Sequence, residues 1–95
     1  MPILNIAAYR FVHLNDLPAL QTALHQALSY HSIKGTVLLA DEGINLFLAG
    51  EDVAVHRFLD WLRFNSRFAD LEAKQSWSEL QPFQKLQVKI KSEII

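Results

Sequence analysis

The sequence predicts an α+β fold in which two helices cover one face of an antiparallel sheet. Three observations support this prediction: short apolar runs typical of strands, two longer segments with apolar residues at helical spacing, and the order in which they alternate. Of the 95 residues, 51% are hydrophobic and 20% are charged. This composition provides a core and excludes wholesale disorder, so we expect residues 1–95 to form a single domain.

The first part of the chain predicts a strand followed by a helix. Residues 3–13 carry mostly apolar side chains in both alternate sets, which is typical of a central strand covered on both faces. Asn15 or Asp16 can cap the next element, and Pro18 suits a first helical turn. Apolar residues then recur at helical spacing, so we expect a helix over residues 17–30.

A β-hairpin and a second helix are predicted next. Residues 36–40 and 44–49 are apolar strands on either side of Asp41-Glu42-Gly43, and Gly43 can adopt the positive φ that such a turn requires. Residues 50–52 open a helix and place acidic side chains at its positive N-terminal end. Its predicted buried stripe comprises Val55, Phe58, Leu59 and Leu62.

The last part of the chain is regular only near its end. Residues 71–77 are compatible with a short strand, and residues 78–82 with a loop. Leu86, Val88 and Ile90 alternate with polar residues, which predicts a strand with one buried face and one solvated face. The order β-α-β-β-α-β, with residues 71–77 as an uncertain additional strand, is that of a ferredoxin-like sandwich.

Composition excludes several classes of function. The chain has no cysteine, which rules out a disulfide scaffold, a thiolate zinc site and cysteine catalysis within these residues. Nine basic and ten acidic residues give a formal charge of −1, which does not suggest a generally basic nucleic-acid binder, although charge can be segregated on one face. We see no signal peptide and no apolar run near the roughly 20 residues that span a bilayer, so we expect a cytoplasmic protein without a membrane partner.

Three lysines project from one side of the last predicted strand, namely Lys85, Lys89 and Lys91. Side chains on one face of a strand recur about every 6.5–7 Å, so this row can contact successive phosphates in a sequence-independent way. Lysines also protect an exposed sheet edge from aggregation, and the pattern alone favours that interpretation.

The hairpin offers a second candidate site, formed by Asp41, Glu42, Gly43 and Asn45. These residues can contact a ligand or a neighbouring domain, but acids and glycine are also ordinary turn residues. The four histidines lack metal-ligand spacing, and we predict no catalytic residue, metal or cofactor in this chain. A Gly-Phe-Gly-Phe-type RNA-recognition run is absent, so we interpret the candidate exposed aromatic residues as core or domain-contact residues: Tyr9, Tyr30, Trp61, Phe64, Trp77 and Phe83.

Three stretches taken together resemble one known family. They are residues 8–12 (AYRFV), residues 34–45 (KGTVLLADEGIN) with Ala49-Gly50 shortly after, and residues 82–95 (PFQKLQVKIKSEII). This combination resembles the N-terminal domain of the rhodanese-related tRNA uridine hydroxylases over essentially the whole chain. The resemblance implies an acylphosphatase-related, ferredoxin-like fold, followed in the same polypeptide by a rhodanese domain that holds the essential cysteine. It further implies a part in the oxygen-dependent 5-hydroxylation of the wobble uridine of tRNA.

The resemblance implies an accessory domain that positions tRNA, docks the catalytic rhodanese domain, or does both, and is not catalytic by itself. The lysine row, with Arg10, would contact phosphates, while Asp41, Glu42 and Asn45 would fix the hairpin or its contact with the rhodanese domain. The chain departs from the family pattern at Leu46, where a small residue is usual, and at Gln84 and Gln87, where basic residues are common.

Two alternatives stay open at this point. The first is a stand-alone acylphosphatase-like hydrolase, for which only Arg10 and Asn45 offer the required Arg–Asn pair, and residues 13–18 (HLNDLP) replace the Gly-rich loop. The second is a structural or dimerisation domain that does not touch RNA. The sequence predicts no oligomeric state.

Overall fold

A five-stranded mixed sheet with two α-helices on one face forms the fold in the computed structural model, which describes residues 2–94. Met1 and Ile95, the residue that ends the third family stretch, lie outside this description. The elements are β1 (Ile3–Phe11), α1 (Leu17–Tyr30), β2 (Lys34–Ala40), β3 (Gly43–Gly50), α2 (Asp52–Arg63), a 3-10 turn (Ser66–Phe68), β4 (Lys74–Ser78) and β5 (Leu86–Ile90). The predicted helix over residues 17–30, the hairpin and the second helix are therefore confirmed.

The strand order is β4-β1-β3-β2-β5. The first four strands pair antiparallel, as predicted for a ferredoxin-like sheet, whereas β5 pairs parallel to β2. The sequence predicts the last strand as the fourth strand of the ferredoxin-like order and residues 71–77 as an additional strand. The structure reverses these roles: β4 is the fourth strand of the ferredoxin-like core, and β5 is the addition at the opposite edge. Sequence alternation cannot distinguish them, because it does not report which neighbour an edge strand joins.

The core lies between the helices and one face of the sheet. Leu20, Leu24 and Leu28 of α1 are buried there, together with the predicted stripe of α2. They pack with the strand residues Leu4, Ile6, Ala8, Val37, Leu39, Ile44, Leu46, Leu48 and Val88. Burial of each large aliphatic or aromatic side chain contributes about 1.5–3 kcal/mol, so this layer dominates stability. Among the described residues, no helix is long and apolar enough to cross a membrane.

The prediction that β1 is covered on both faces is wrong. The alternate set that includes Leu4 and Ile6 packs under the helices, but Tyr9 and Phe11 in the other set are 66% and 53% exposed. β1 is central only in strand order, since it lies between β4 and β3. An apolar composition in both sets therefore did not indicate two covered faces.

Asp16 occupies the N-cap position of α1, but its side chain does not cap the helix. Its carboxylate instead accepts hydrogen bonds from Nη1 and Nη2 of Arg67 at 2.7 and 3.1 Å. The hydrogen bond from Arg67 lowers the pKa of Asp16 below its ordinary value, and the same bond raises the pKa of Arg67. This bidentate pair ties the start of α1 to the 3-10 turn.

Gly43 allows β1 and β3 to approach closely at the hairpin. Its φ is +152°, which confirms the predicted positive value. A Cβ atom at this position would lie 2.0 Å from the carbonyl oxygen of Arg10. Only glycine fits this backbone without displacing a strand.

Candidate nucleic-acid interface

The face of the sheet opposite the helices, here called the open face, carries the polar and aromatic residues of the alternate strand positions. Register partners define two rows across it. The first row is Lys74, Ala7, Phe47, Thr36 and Gln87, and the second is Tyr9, Asn45, Leu38 and Lys89. No helix or strand of the described residues lies over these rows, although the Asn45 side chain is engaged by the backbone of Ile94.

Three aromatic rings lie on the open face. Tyr9, Phe11 and Phe47 are 66%, 53% and 47% exposed. The rings of Tyr9 and Phe11 meet edge-to-face, with centroids 5.8 Å apart. Tyr9, interpreted from the sequence as a core or domain-contact residue, therefore lies outside the core, and the sequence analysis did not single out Phe11 or Phe47. The sequence did not reveal this cluster, because its members come from two strands whose pairing was not yet known.

The other aromatic residues interpreted from the sequence as core or domain-contact residues lie outside the core as well. Tyr30, Trp61, Phe64 and Trp77 are exposed, and Phe83 is half-buried. Whether any of them contacts another domain stays a prediction.

All five lysines of the chain lie on the open face or directly beside it. Lys34, Lys74 and Lys89 occupy strand positions of that face, and Lys85 and Lys91 flank β5 in the same alternate set as Lys89. All five are exposed, and none forms an ion pair with an acidic residue in the part of the chain that the structure describes. Among the described strands, no open-face position holds an acid. Although the net charge of the chain is near zero, its lysines are therefore concentrated at one face of the sheet.

The predicted lysine row is brought together by the edge strand β5. Lys89 is the register partner of Leu38, the backbone carbonyl of Lys85 accepts from the amide of Gly35 at 3.1 Å, and the amide of Lys91 donates to the Leu39 carbonyl at 2.7 Å. These backbone contacts fix the base of each lysine, while the ammonium groups extend from the sheet. The sequence reasoning missed Lys34 and Lys74, which join the same face from other strands.

Arg10 does not join the lysine row. It belongs to the alternate set of Ala8, and its Nη2 forms an ion pair with Oδ1 of Asp70 at 2.9 Å. Two strands separate β1 from β5, which corresponds to about 14 Å at the usual strand spacing. A role for Arg10 in phosphate contact stays a prediction.

A trough runs along the open face beside β1. One depression, of about 840 Å³, is lined by Tyr9, Phe11, Asn45 and the stretch 70–74. A second, of about 350 Å³, is lined by residues that include Asn5 and Phe83. The two depressions share Ala7, Phe47 and Lys74, so they lie next to each other on the open face.

The predicted hairpin site holds the C-terminal tail. The amide of Ile94 donates to Oε1 of Glu42 at 3.0 Å, and Nδ2 of Asn45 donates to the Ile94 carbonyl at 3.0 Å. Ile94 is only 2% exposed. Glu42 and Asn45 therefore act as a clamp that fixes where the chain leaves the sheet.

The hairpin tip is also bound to the connection between β1 and α1. The amides of Val12 and Leu14 donate to the carbonyls of Glu42 and Asp41, each at 2.9 Å. These amides follow the first strand, where an anion cradle of the acylphosphatase type would need free donors. The Arg–Asn pair of that alternative is likewise engaged, with Arg10 on Asp70 and the Asn45 amide on the tail.

Within residues 2–94, no cluster of three or more His, Cys, Asp or Glu side chains could hold a metal ion. Of the predicted site residues, the structure thus assembles two groups. The lysines lie on or beside the open face, and Glu42 and Asn45 of the hairpin hold the tail at Ile94.

The sequence matches the UPF0176 acylphosphatase-like domain over residues 3–94. The chain belongs to this family. Similar curated proteins are the tRNA uridine(34) hydroxylase of Bordetella petrii, 57% identical over 93 residues, and that of Delftia acidovorans, 54% identical over 93 residues. The matches cover 98% of this chain but 37% and 35% of those proteins. The chain thus spans about a third of these relatives and corresponds to their N-terminal portion, which confirms the resemblance inferred from the three stretches.

Solved structures with the same fold include BlrP1 of Klebsiella pneumoniae, in its manganese and cyclic-diGMP complex, and acylphosphatase of Bacillus subtilis. BlrP1 matches with a TM-score of 0.73 at 17% identity over 95% of this chain and 24% of its own. The acylphosphatase matches with a TM-score of 0.67 at 14% identity over 94% of this chain and 99% of its own. At these identities the similarity establishes the fold alone, and it confirms the predicted acylphosphatase-related sandwich.

Proposed function

We propose that this chain is an accessory domain that positions tRNA for a tRNA uridine hydroxylase in the cytoplasm. The observation that carries the proposal is that three lysines occupy strand positions of the open face and two more flank β5, while no acid occupies a strand position of that face among the described residues. The names of the relatives, tRNA uridine(34) hydroxylases, supply the RNA substrate. A positive face on an otherwise nearly neutral domain attracts a polyanion at long range and orients it before contact.

The domain's contribution is binding rather than bond-making. The edge strand β5 and its two flanking positions carry Lys85, Lys89 and Lys91. Each of these lysines can contact a phosphate oxygen without contacting a base, so the binding is independent of RNA sequence. The reaction itself belongs to a catalytic rhodanese domain elsewhere in the same polypeptide. Arg10 would have to leave Asp70 to contact RNA, so we expect it to contribute less than any of the three lysines.

The hairpin clamp supports a second part of the proposal, the docking of the catalytic domain. Glu42 and Asn45 hold Ile94 by both of its backbone groups. In a longer polypeptide, this contact would fix where the next domain begins, beside the same face that carries the lysines. Asp41 and Gly43 shape the turn that presents the clamp.

Replacing Lys85, Lys89 and Lys91 with alanine tests the RNA contact. We expect weaker tRNA binding and a dependence of log Kd on log salt that is shallower by about 2–3 units, since each neutralised phosphate contributes about 0.7–0.9. Fluorescence anisotropy of labelled tRNA across a salt series measures both quantities.

A matched pair of single variants controls for the loss of charge alone. Lys89→Ala removes a cation from the open face, and Arg57→Ala removes an exposed cation from α2 on the helical side. Only Lys89→Ala should reduce the slope. An unchanged slope in the triple variant, or equal effects of the two single variants, would remove the lysine row from the RNA interface.

A further inference from the structure

The open face combines exposed rings with lysines that form no ion pair among residues 2–94. Tyr9, Phe11 and Phe47 form an apolar patch, and such exposed patches usually mark a binding surface. Lys74 is the register partner of Ala7 on one side of the patch. Lys89 is the register partner of Leu38 on the other side. Exposed aromatic rings bordered by lysines are complementary to a ligand in which flat apolar groups are connected by anionic groups.

The arrangement leaves room for planar groups on the rings. Ala7 lies between Lys74 and Phe47 in the first row, and its methyl side chain forms a low floor in the trough. Tyr9 and Phe47 line the same depression as Ala7. A planar group entering the trough can therefore contact a ring face while its charged substituents reach toward a lysine.

We infer that Tyr9, Phe11 and Phe47 form a platform on which unpaired bases of single-stranded RNA stack. The inference rests on the proposed RNA binding and adds which part of the RNA this face selects. Bases in a duplex are already stacked and cannot lie on a sheet, whereas bases in a loop can be splayed onto aromatic rings. Loop nucleotides are therefore favoured over paired ones.

The charge on this face favours RNA over a protein as the occupant. Five lysines lie on or beside this face, and the acids that line the larger depression are Asp70 and Glu72. Asp70 is neutralised by Arg10. A neutral protein surface would leave these ammonium groups without partners, whereas phosphates provide one for each.

The test replaces aromatic side chains with leucine, which removes the ring and keeps an apolar side chain. Tyr9→Leu and Phe47→Leu each remove one ring from an exposed position, so the core under the helices is untouched. Tyr30→Leu and Phe64→Leu are matched controls, because these side chains are 82% and 94% exposed at the ends of the helices. Circular dichroism establishes that each variant is folded, and if one fails to fold, the other decides the question.

The probes are a labelled RNA stem-loop with a uridine-rich loop and a duplex with the same number of phosphates. We expect each open-face variant to bind the stem-loop at least about fivefold more weakly, with little change for the duplex and an unchanged salt slope. A 2-aminopurine base in the loop should be quenched on binding to the unchanged chain and less quenched with the variants. The controls should bind both probes as the unchanged chain does.

Two outcomes would overturn the inference. The first refutes the stacking platform alone, and the second also refutes the proposed RNA binding. If Tyr9→Leu and Phe47→Leu bind the stem-loop as tightly as the controls do, while salt still weakens binding, the stacking platform is refuted and the phosphate contacts stand. If the unchanged chain binds neither probe even at low salt, both the platform and the proposed RNA binding fail. The open face would then be assigned to contact with another protein domain.

Discussion

Gly43→Ala should strongly destabilise the fold at the hairpin. The new Cβ would lie 2.0 Å from the Arg10 carbonyl oxygen and 3.1 Å from Cα of Phe11, both in the backbone of β1. A φ of +152° adds strain for any residue with a side chain. Because backbone cannot move aside as a flexible side chain can, β1 and β3 must separate near the turn, and we expect a cost of about 2–3 kcal/mol.

The magnitude is large against the whole stability of the domain. At about 0.05–0.15 kcal/mol per residue, a chain of 95 residues is stable by about 5–14 kcal/mol. A loss of 2–3 kcal/mol corresponds to a Tm lower by about 10–20 °C in a domain of this size. Urea unfolding followed by circular dichroism measures the free energy, and calorimetry measures Tm.

Gly50→Ala is the matched control. A Cβ atom there would meet Cγ1 of Ile33 at 3.1 Å and Cγ2 of Val55 at 3.5 Å, which are side-chain atoms able to shift. We expect a cost below about 1 kcal/mol. If the two variants unfold within about 0.5 kcal/mol of each other, the close backbone approach at Gly43 does not constrain the hairpin as described.

Two further predictions concern the Asp16 ion pair and the tail clamp. Because Arg67 lowers the pKa of Asp16, the pair should stabilise the fold above the unfolded pKa of about 3.9 and lose this contribution as pH falls through the folded pKa. Asp16→Asn should therefore lower stability at neutral pH by less than about 1 kcal/mol, since the carboxylate is partly exposed, and cause a smaller loss at pH 2 in urea unfolding. An equal loss at both pH values would contradict this. Glu42→Ala should speed hydrogen exchange of the Ile94 amide by about fivefold in NMR, because a hydrogen bond of about 1 kcal/mol is lost. Asp41→Ala should leave that exchange rate unchanged, since Asp41 contributes its backbone carbonyl, and equal effects of both variants would refute the clamp.

Local patterns along the chain were sufficient to predict most elements of the fold. The helix of residues 17–30 and the buried stripe of α2 follow from helical spacing, because only one face of each helix enters the core. Gly43 marked the hairpin, because the turn needs a conformation that other residues avoid. These features depend on neighbours in sequence.

The pairing of the edge strands could not be predicted in the same way. β4 and β5 are each five residues long, and their partners lie far away in sequence, so alternation does not reveal that β4 joins β1 and β5 joins β2. The open face depends on that pairing. Lys34, Lys74 and Lys89 come from three strands, and they form one surface only once the register is known.

The family resemblance and the residue patterns contributed different parts of the site. The lysine row was visible as alternation along one strand, but that pattern alone favoured protection of an edge. The resemblance supplied RNA as its partner. Neither one indicated the clamp, since the bond between Asn45 and the tail joins residues 49 apart.

The most direct test of the account is the binding of labelled tRNA to this chain, measured by fluorescence anisotropy at low and at near-physiological salt. The account predicts micromolar binding that weakens steeply as salt rises, as expected for contacts dominated by phosphates. The absence of binding even at low salt would contradict it. The lysine-bearing face would then have no part in holding RNA, and the domain's role would reduce to docking its neighbour.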